Sequence, residues 1–324
     1  MWRGRSKRAA ERTRVLFVTD LHASEITFRK MLNAVRVYEA SVLIVGGDLT
    51  GKQLVPIVET EGGWHAHVLG ETVTVGSDDA LADLVTRVKN LGQYPRTMSA
   101  DEFARLSADR GSLEAAFEQA CLDQVEDWMA RISERFGDGD VAVFVTGGND
   151  DFMSIEPLLS GVHGVVNGEG AAVELLAGVP MISTGYGNET PWHCPRDVSE
   201  HDLETRIDAM AQSLEDPERA VFNLHVPPVG SGLDSCVKLD LSVHPPRPIA
   251  GEETEAGSAA VRSAIERYQP VLSLHGHIHE CRGVRQIGRT TCVNPGSEYA
   301  EGVLHGAIID FASGQLDNIQ LVSA

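Results

Sequence analysis

Cysteine is scarce in this sequence, and the few cysteines are widely scattered. The 324 residues include five cysteines, and no two of them form a CxxC pair. Disulfide frameworks need a dense, even set of cysteines, and structural zinc clusters need closely spaced ones. These absences argue against both kinds of site and are compatible with a reducing compartment. We therefore predict a cytoplasmic protein.

Long apolar segments are also missing. No window of the sequence approaches the roughly eighteen uninterrupted apolar residues that a membrane-spanning helix requires. The first residues, MWRGRSKRAAERTR, are basic and lack the apolar stretch of a secretory signal. We expect a soluble protein that does not enter a membrane.

Positive charge is sparse over most of the chain. Lysine and arginine total 27 against 47 acidic residues, and the net charge is −20. Such a surface repels phosphate backbones, which argues against a broad nucleic-acid interface. The first fourteen residues are the exception, since six of them are basic and one is acidic. We predict that residues 1–13 form a disordered basic tail.

The rest of the chain is rich enough in apolar residues, 42%, to form a large core. RVLFVTD and SVLIVGGD flank a segment of helical periodicity, and this order predicts a βαβ unit with parallel strands. Further buried strands are predicted from residue 141 onward. We predict a single domain over residues 14–324, with a long loop at 226–257.

Residues 51–137 have a different pattern. Their first part predicts a hairpin or small meander, and their second part predicts three helices that begin near Ser77, Ser99 and Ser112. We interpret this segment as an inserted cap of hairpin plus helices that lies over the main sheet and restricts access to a site.

Five short apolar strands each end in side chains that bind metal ions. Asp20 and His22 follow VLFVT, Asp48 follows VLIVGG, Asn149 follows VAVFVTGG, His225 follows VFNL, and His277 and His279 follow VLSLHG. Open α/β sheets build their sites beyond the carboxyl ends of their strands, so these residues are expected to converge. The alternation of an extended chain places Asp20 and His22 on one side of the backbone, and it places His277 and His279 together in the same way.

The chemistry of these side chains indicates the kind of metal. Imidazole, carboxylate and amide oxygen together suit Mn, Fe, Zn, Ni or Co better than calcium. Two such ions about 3.5 to 4 Å apart can clamp a phosphoryl group and activate a water molecule near neutral pH. The pattern therefore predicts two divalent metal ions and hydrolysis of a phosphoester.

The ordered motifs resemble those of the calcineurin-like metallophosphoesterases. These motifs are DLH at 20–22, GD at 47–48, GN at 148–149, a lone histidine at 225, GHIH at 276–279 and NPGS at 294–297. The resemblance implies an α/β fold of the α/β/β/α type, in which two mixed sheets are packed together and flanked by helices. It also implies a metal-dependent hydrolase of phosphomonoesters or phosphodiesters, in which a bridging hydroxide is the nucleophile.

The resemblance further implies a role for each ligand. Asp20, His22 and His279 would hold one ion, Asn149, His225 and His277 would hold the other, and Asp48 would bridge them. The predicted catalytic residues are Asp48, Asn149 and Asp150.

Asp150 departs from the family pattern, because it stands where members carry a histidine that helps the leaving group depart. A carboxylate beside two cations should be ionised, so it is a poor general acid. Another group could protonate the leaving oxygen, the substrate could leave unaided, or Asp150 could only shape its loop. His193 is a candidate replacement, and an ordinary loop histidine is the alternative interpretation.

Several neighbours of these motifs are predicted to support the ligands. Asp151 is expected to anchor its loop, and His275, Glu280 and Asn294 are expected to pack against ligands or orient them. The expected partner is a small phosphoester substrate, and a homo-oligomer is possible. The alternative function is a metal-binding scaffold of the same fold that has no catalytic activity.

Overall fold

The structure, a computed structural model, describes residues 12–243 and 246–324. Over these ranges the chain forms seven α-helices and twenty β-strands. The helices are α1 Glu25–Val37, α2 Asp78–Asn90, α3 Ala100–Ala108, α4 Arg110–Phe136, α5 Glu156–Ser160, α6 Glu200–Ala211 and α7 Ala259–Tyr268. The strands are β1 Arg12–Val18, β2 Val42–Val45, β3 Leu54–Thr60, β4 Gly63–Val68, β5 Glu71–Val75, β6 Tyr94–Met98, β7 Ala142–Val145, β8 Val165–Asn167, β9 Ala172–Leu176, β10 Val179–Thr184, β11 Gly187–Asn188, β12 Asp197–Val198, β13 Val221–Leu224, β14 Ser235–Asp240, β15 Arg247–Glu255, β16 Leu272–Leu274, β17 Gly283–Ile287, β18 Thr290–Asn294, β19 His305–Ala312 and β20 Gln315–Ser323. Within these ranges, no helix is both long and apolar enough to cross a membrane.

Of the predicted basic tail, residues 1–13, the first eleven lie outside the described residues. Its last two residues are part of the fold instead, because Arg12 and Thr13 begin β1 and pair with Ala312 and Phe311 of β19.

Two six-stranded mixed sheets form the centre of the molecule. The first has the order β20-β19-β1-β2-β7-β8, and the second has the order β17-β18-β16-β13-β10-β9. β1, β2, β7 and β8 are mutually parallel, as are β10, β13, β16 and β18. The parallel pairing of β1 with β2 agrees with the predicted βαβ unit.

Successive residues of a strand point to opposite faces of its sheet and so belong to different layers of the core. Val15 and Phe17 of β1 belong to the core between the two sheets, whereas Leu16 and Val18 belong to the core under the outer helices. Helices α6 and α7 cover the opposite face of the second sheet, where Ile207 and Ile265 are buried. Because each strand has two buried faces, it reads as a continuous apolar run. The predicted α/β/β/α fold class is confirmed.

The segment 51–137 contains more than the predicted hairpin and three helices. It has a four-stranded sheet of order β5-β4-β3-β6, in which β6 lies between α2 and α3 and pairs parallel to β3. The Ser77 and Ser99 caps are present, but α4 begins at Arg110 with Asp109 as its cap, so the predicted start at Ser112 is wrong. The division of the chain into domains stays a prediction.

Helix α4 links this segment to the main sandwich. Val125, Trp128 and Ile132, in its second half, are buried in the core that also contains α1. The Trp128 ring stacks on the Phe28 ring of α1 at 4.2 Å between centroids. The second half of α4 is therefore part of the helical layer on the first sheet.

The predicted loop at 226–257 is also different in the structure. Strands β14 and β15 form an antiparallel hairpin within it. Most side chains of β15 are exposed. A strand with two solvated faces shows no apolar alternation, which is why the sequence pattern did not reveal it.

We expect replacement of Asp310 by asparagine to lower stability in a pH-dependent way. The Asp310 carboxylate is 3% exposed and accepts hydrogen bonds from Arg14 at 2.8 Å and Arg12 at 2.9 Å. The hydrogen bond from Arg14 lowers the pKa of Asp310, although burial opposes this. Since the folded pKa is lowered, the carboxylate stabilises the fold above pH about 4 and loses this effect as pH falls further.

The measurement is urea unfolding of both proteins between pH 7 and pH 3. The variant should lose about 1.5 to 3 kcal/mol at pH 7, and the difference should shrink toward pH 3. Asp317→Asn is the matched control, since Asp317 faces Arg12 at 3.5 Å and is half exposed. An equal difference at both ends of the pH range would contradict the prediction.

Candidate metal centre

The seven predicted ligands lie together beyond the carboxyl ends of five parallel strands. β1, β2 and β7 of the first sheet and β13 and β16 of the second sheet each end at this point. The loops that follow β1 and β2 are hydrogen-bonded to each other, from Asp20 N to Gly47 O at 3.0 Å and from His22 N to Asp48 O at 2.9 Å. The site therefore spans the ends of both sheets.

The ligand loops are not extended, contrary to the prediction. Asp20, His22, Asp48 and His277 have φ angles of 54°, 40°, 51° and 64°. Residues other than glycine rarely adopt this left-handed region, and it costs energy. The backbone turns sharply after β1, β2 and β16, and these turns bring the side chains together.

Two glycines make room for the carboxylates. A Cβ atom at Gly148 would lie 2.2 Å from Asp48 Oδ1, and one at Gly276 would lie 2.2 Å from Asp20 Oδ2. Any larger residue would displace a predicted ligand. This close approach explains the glycines of the GN and GHIH motifs.

The first group of ligands consists of Asp20, His22, Asp48 and His279. The Nε2 atoms of His22 and His279 are 3.1 Å apart. His22 Nε2 lies 3.5 Å from Asp48 Oδ2, and His279 Nε2 lies 3.4 Å from Asp20 Oδ1. Two imidazole nitrogens and two carboxylates thus face a common point.

The second group consists of Asp48, His225 and His277. His225 Nε2 lies 3.4 Å from Asp48 Oδ2. The Asn149 amide adds a fourth donor, because its Oδ1 is 2.8 Å from His277 Nδ1. Asp48 belongs to both groups, which is the geometry expected of a bridging ligand.

The donor atoms suit metal binding. His225 Nδ1 faces Gly46 O at 3.0 Å, and His22 Nδ1 faces Thr50 O at 3.1 Å. These backbone contacts leave the Nε2 atoms directed into the site, and His225 Nε2 is buried without a hydrogen-bond partner. Nitrogen and oxygen donors without thiolate fit divalent metal ions.

The electrostatics also indicate a site for positive charge. Burial raises the pKa of Asp48 to about 6. Burial lowers the pKa of His225, but the nearby Asp48 carboxylate outweighs it and raises that pKa to about 10. Burial, and then the charge of His225, lower the pKa of His277 to about 3. Because a ligating imidazole is neutral, binding of an ion would require His225 to lose its proton.

Two of the predicted supporting residues contact the ligand loops. His275 Nδ1 lies 2.8 Å from Leu224 O and 3.1 Å from Val226 O, on either side of His225. Asn294 Nδ2 donates to Gly276 O and Ile278 O, on either side of His277. Both side chains hold ligand-bearing backbone in place. Glu280 lines the cavity described below.

Asp151 anchors its loop, as predicted. Its carboxylate accepts hydrogen bonds from the backbone of Leu49, Thr50 and Gly148 at 2.8 to 3.0 Å. These bonds tie the loop after β7 to the loop after β2. The position of Asn149 therefore depends on that of Asp48.

Two residues that the sequence analysis missed support the same loop. Asn149 Nδ2 donates to Asp197 Oδ1 at 3.3 Å, which turns the amide oxygen toward His277. Arg196 is fully buried and donates to Asp151 O at 2.9 Å and Phe152 O at 3.2 Å. No motif or spacing marks either residue, because both reach the loop from about 45 residues further along the chain.

Asp150 is paired with Lys52, a residue that the sequence analysis also missed. Asp150 Oδ2 lies 2.7 Å from Lys52 Nζ, and its Oδ1 accepts a hydrogen bond from Cys194 Sγ at 2.8 Å. Burial alone would raise the pKa of Asp150, but the Lys52 charge lowers it, so the carboxylate is ionised. Burial tends to lower the pKa of Lys52, but Asp150 and then Asp48 raise it, so Lys52 is charged. The only sequence signal for Lys52 was its position shortly after Asp48.

The metal centre opens into a cavity of about 810 Å³. Asp48, Asn149, His277 and His279 form its floor, and strands β14 and β15 and the loop at 188–192 form its wall. Of segment 51–137, Lys52 alone is among the described residues that line it. The expectation that this segment restricts access stays a prediction. The candidate proton donor His193 is exposed and is not among the described residues that line the cavity, which agrees with the alternative interpretation as an ordinary loop histidine.

Comparisons with known proteins show the fold. No protein-family model matches the chain. Protein TT1561 of Thermus thermophilus aligns over 97% of this chain and 99% of its own, with 13% identity and a TM-score of 0.52. Another solved structure aligns over 96% of this chain and 99% of its own, with 17% identity and a TM-score of 0.57. At such low identity these likenesses establish a common architecture.

A relative by sequence is the uncharacterized protein MJ1162 of Methanocaldococcus jannaschii. It is 27% identical over 126 residues, which is 38% of this chain and 50% of the relative. The match thus spans about half the length of that protein. An archaeal phosphodiesterase aligns over 96% of this chain and 100% of its own, at 11% identity and a TM-score of 0.38, which is too distant to assign a function.

Proposed function

We propose that this protein is a metal-dependent phosphoester hydrolase of the calcineurin-like metallophosphoesterase type. The observation that carries the proposal is the pair of ligand groups that share Asp48 at the ends of the two sheets. Nitrogen and oxygen donors in this arrangement suit two ions of the Mn, Fe, Zn, Ni or Co type. The fold agrees with the resemblance in the sequence motifs.

The proposed reaction is hydrolysis of a phosphomonoester or phosphodiester. When bound, two divalent ions would polarise the phosphoryl oxygens and lower the pKa of a water molecule. The water oxygen would add to phosphorus and give up a proton, the ester P–O bond would break, and the departing oxygen would take up a proton. Asp20, His22, His279, Asn149, His225 and His277 would hold the ions, and Asp48 would lie between them.

The cavity offers room for the organic part of the ester. Its wall carries the apolar side chains of Trp192, Val237, Leu239 and Leu241. Trp192 and Leu241 are 56% and 64% exposed. Apolar side chains beside a charged floor suit a phosphoester whose organic group is apolar or aromatic.

The alternative is a metal-binding scaffold of the same fold without activity. Asp150, in the place of the family histidine, is the observation that favours it. The complete set of seven ligands favours the enzyme, because a scaffold has no need to keep every ligand for two ions.

A screen of substrates against metals tests the proposal. Metal-free protein is loaded separately with Mn, Ni, Zn, Fe, Co or Mg and assayed with 4-nitrophenyl phosphate and bis(4-nitrophenyl) phosphate. We expect about two ions per chain and turnover of at least one ester with a borderline metal. Two bound ions without turnover would support the scaffold, and a chain that binds no ion would contradict both functions.

A further inference from the structure

Lys52 places a positive charge at the floor of the cavity. Its Nζ atom lies 2.7 Å from Asp150 Oδ2, and the side chains of Lys52 and Asp150 are 54% and 18% exposed. Lys52 is therefore the more exposed member of the ion pair, and Asp150 is the more deeply buried one. Both side chains line the cavity together with the ligands Asp48, Asn149 and His279.

Asp150 is itself held from two further directions. Its backbone N–H donates to Asp48 Oδ1 at 3.0 Å, and Cys194 Sγ donates to its second carboxylate oxygen at 2.8 Å. A carboxylate fixed in this way limits the positions that the flexible lysine can take. The ion pair thus places the Lys52 ammonium at a defined distance from the metal ligands.

Lys52 is well suited to receive an anion. The described residues that line the cavity include two lysines: Lys52 is paired with Asp150 beside the predicted metal ligands, and Lys238 is paired with Glu252 of the hairpin at 2.8 Å. Glu189, Glu255 and Glu280 also line the cavity. These carboxylates would repel a phosphate group. A fixed cation beside the predicted metal ligands would offset that repulsion.

We propose that Lys52, positioned by Asp150, is a catalytic residue that binds the phosphoryl group of the substrate through its ammonium. This inference rests on the proposed phosphoester hydrolysis. In this chain Lys52, which is distant from residue 150 in sequence, supplies the positive charge near the leaving group. Asp150, at the position of the family histidine, holds Lys52 in place. Asp150 is then a positioning residue and need not donate a proton.

The opposing interpretation is a surface ion pair without a role in binding. Exposed pairs of this kind contribute little to stability, so they can be lost without consequence. The two interpretations differ in one measurable quantity, the affinity of the metal-loaded protein for inorganic phosphate.

The test compares Lys52→Gln with the wild type in the metal-loaded state. Isothermal titration calorimetry gives the affinity for inorganic phosphate, and assays with bis(4-nitrophenyl) phosphate give kcat/KM. We expect phosphate affinity to fall about ten- to a hundredfold, because a charge-assisted hydrogen bond is lost. We expect kcat/KM to fall about a hundredfold, with metal content unchanged.

Three further variants separate the roles. Lys52→Arg should recover part of the phosphate affinity, since it keeps the charge. Asp150→Asn should weaken phosphate binding less than Lys52→Gln, and the double variant should be no worse than Lys52→Gln alone, because the two residues act as one unit. Lys89→Gln, an exposed lysine of α2 outside the cavity, should match the wild type.

The outcomes distinguish this inference from the proposed function. If the wild type hydrolyses an ester, and the phosphate affinity and kcat/KM of Lys52→Gln are within about twofold of the wild-type values, the inference is overturned and the proposed function stands. Phosphate binding that depends on Lys52 in a protein that hydrolyses no ester would contradict both the hydrolase and the catalytic role of Lys52, and would leave Lys52 as a residue that binds phosphate.

Discussion

Replacement of Asp48 by asparagine is expected to abolish hydrolysis and to remove at least one metal ion per chain. Asp48 is 2% exposed, and its Oδ2 lies 3.5 Å from His22 Nε2 and 3.4 Å from His225 Nε2. Asparagine keeps the shape of the side chain but removes the negative charge that both ligand groups share. Metal ions contribute several kcal/mol to transition-state stabilisation, and each 1.36 kcal/mol is tenfold in rate. We therefore expect kcat/KM to fall by about a thousandfold or more.

The measurement combines metal analysis with kinetics on the same preparation. Asp48→Ala should lower metal content and kcat/KM at least as much, because it also leaves the backbone N–H of Asp150 without the Asp48 Oδ1 acceptor. Asp123→Asn, an exposed substitution of the same type on α4, is the control and should keep both ions and full activity. Asp48→Asn protein with two ions and wild-type turnover would refute the assignment of the centre.

Replacement of Arg196 by methionine is expected to destabilise the fold strongly and to weaken metal binding. The side chain is fully buried and forms ion pairs with Glu156 and, at 4.0 Å, with Glu169. It also donates hydrogen bonds to the backbone of Asp151 and Phe152, two and three residues after the predicted ligand Asn149. Removal of one partner from a buried ion pair leaves uncompensated charge and costs about 3 to 5 kcal/mol.

Urea unfolding and metal titration measure the two effects separately. Adding Glu156→Gln to the Arg196→Met protein should restore part of the stability, because it removes the carboxylate left without its partner. Arg206→Met is the control, since Arg206 is exposed and stacks on the Tyr186 ring at 3.9 Å. An Arg196→Met protein that unfolds at the wild-type urea concentration would show that Arg196 does not hold the loop.

The predictable parts of this protein were those in which burial and local geometry determine the pattern of residues close together in the sequence. The core strands have two buried faces, so they read as apolar runs, and polar side chains directly after them stand out. The caps at Ser77 and Ser99 were predictable because each cap is satisfied within three residues. Strand β6 and the hairpin β14–β15 were missed, because their exposed faces leave no apolar period.

The extent of the outer helical layer could not be predicted from the sequence. The apolar stripe of α4 indicated a packed face, but not its partner. Contact between the Trp128 and Phe28 rings, about 100 residues apart, assigns the second half of the helix to the main sandwich. An apolar stripe shows which residues of a helix are buried. The tertiary structure shows which residues they pack against.

The motifs in the sequence determined the fold class through the family that they resemble, and the strand pattern by itself determined which residues meet at the candidate metal centre. It could do so because parallel strands all end at one edge, so a polar residue after each buried strand is placed by topology. The tertiary structure alone decided how the ligand loops turn, which residues support them and what surrounds the cavity. Lys52, Arg196 and Asp197 act on the loop at 149–151 through contacts that span 45 to about 100 residues, and such contacts leave no pattern along the chain.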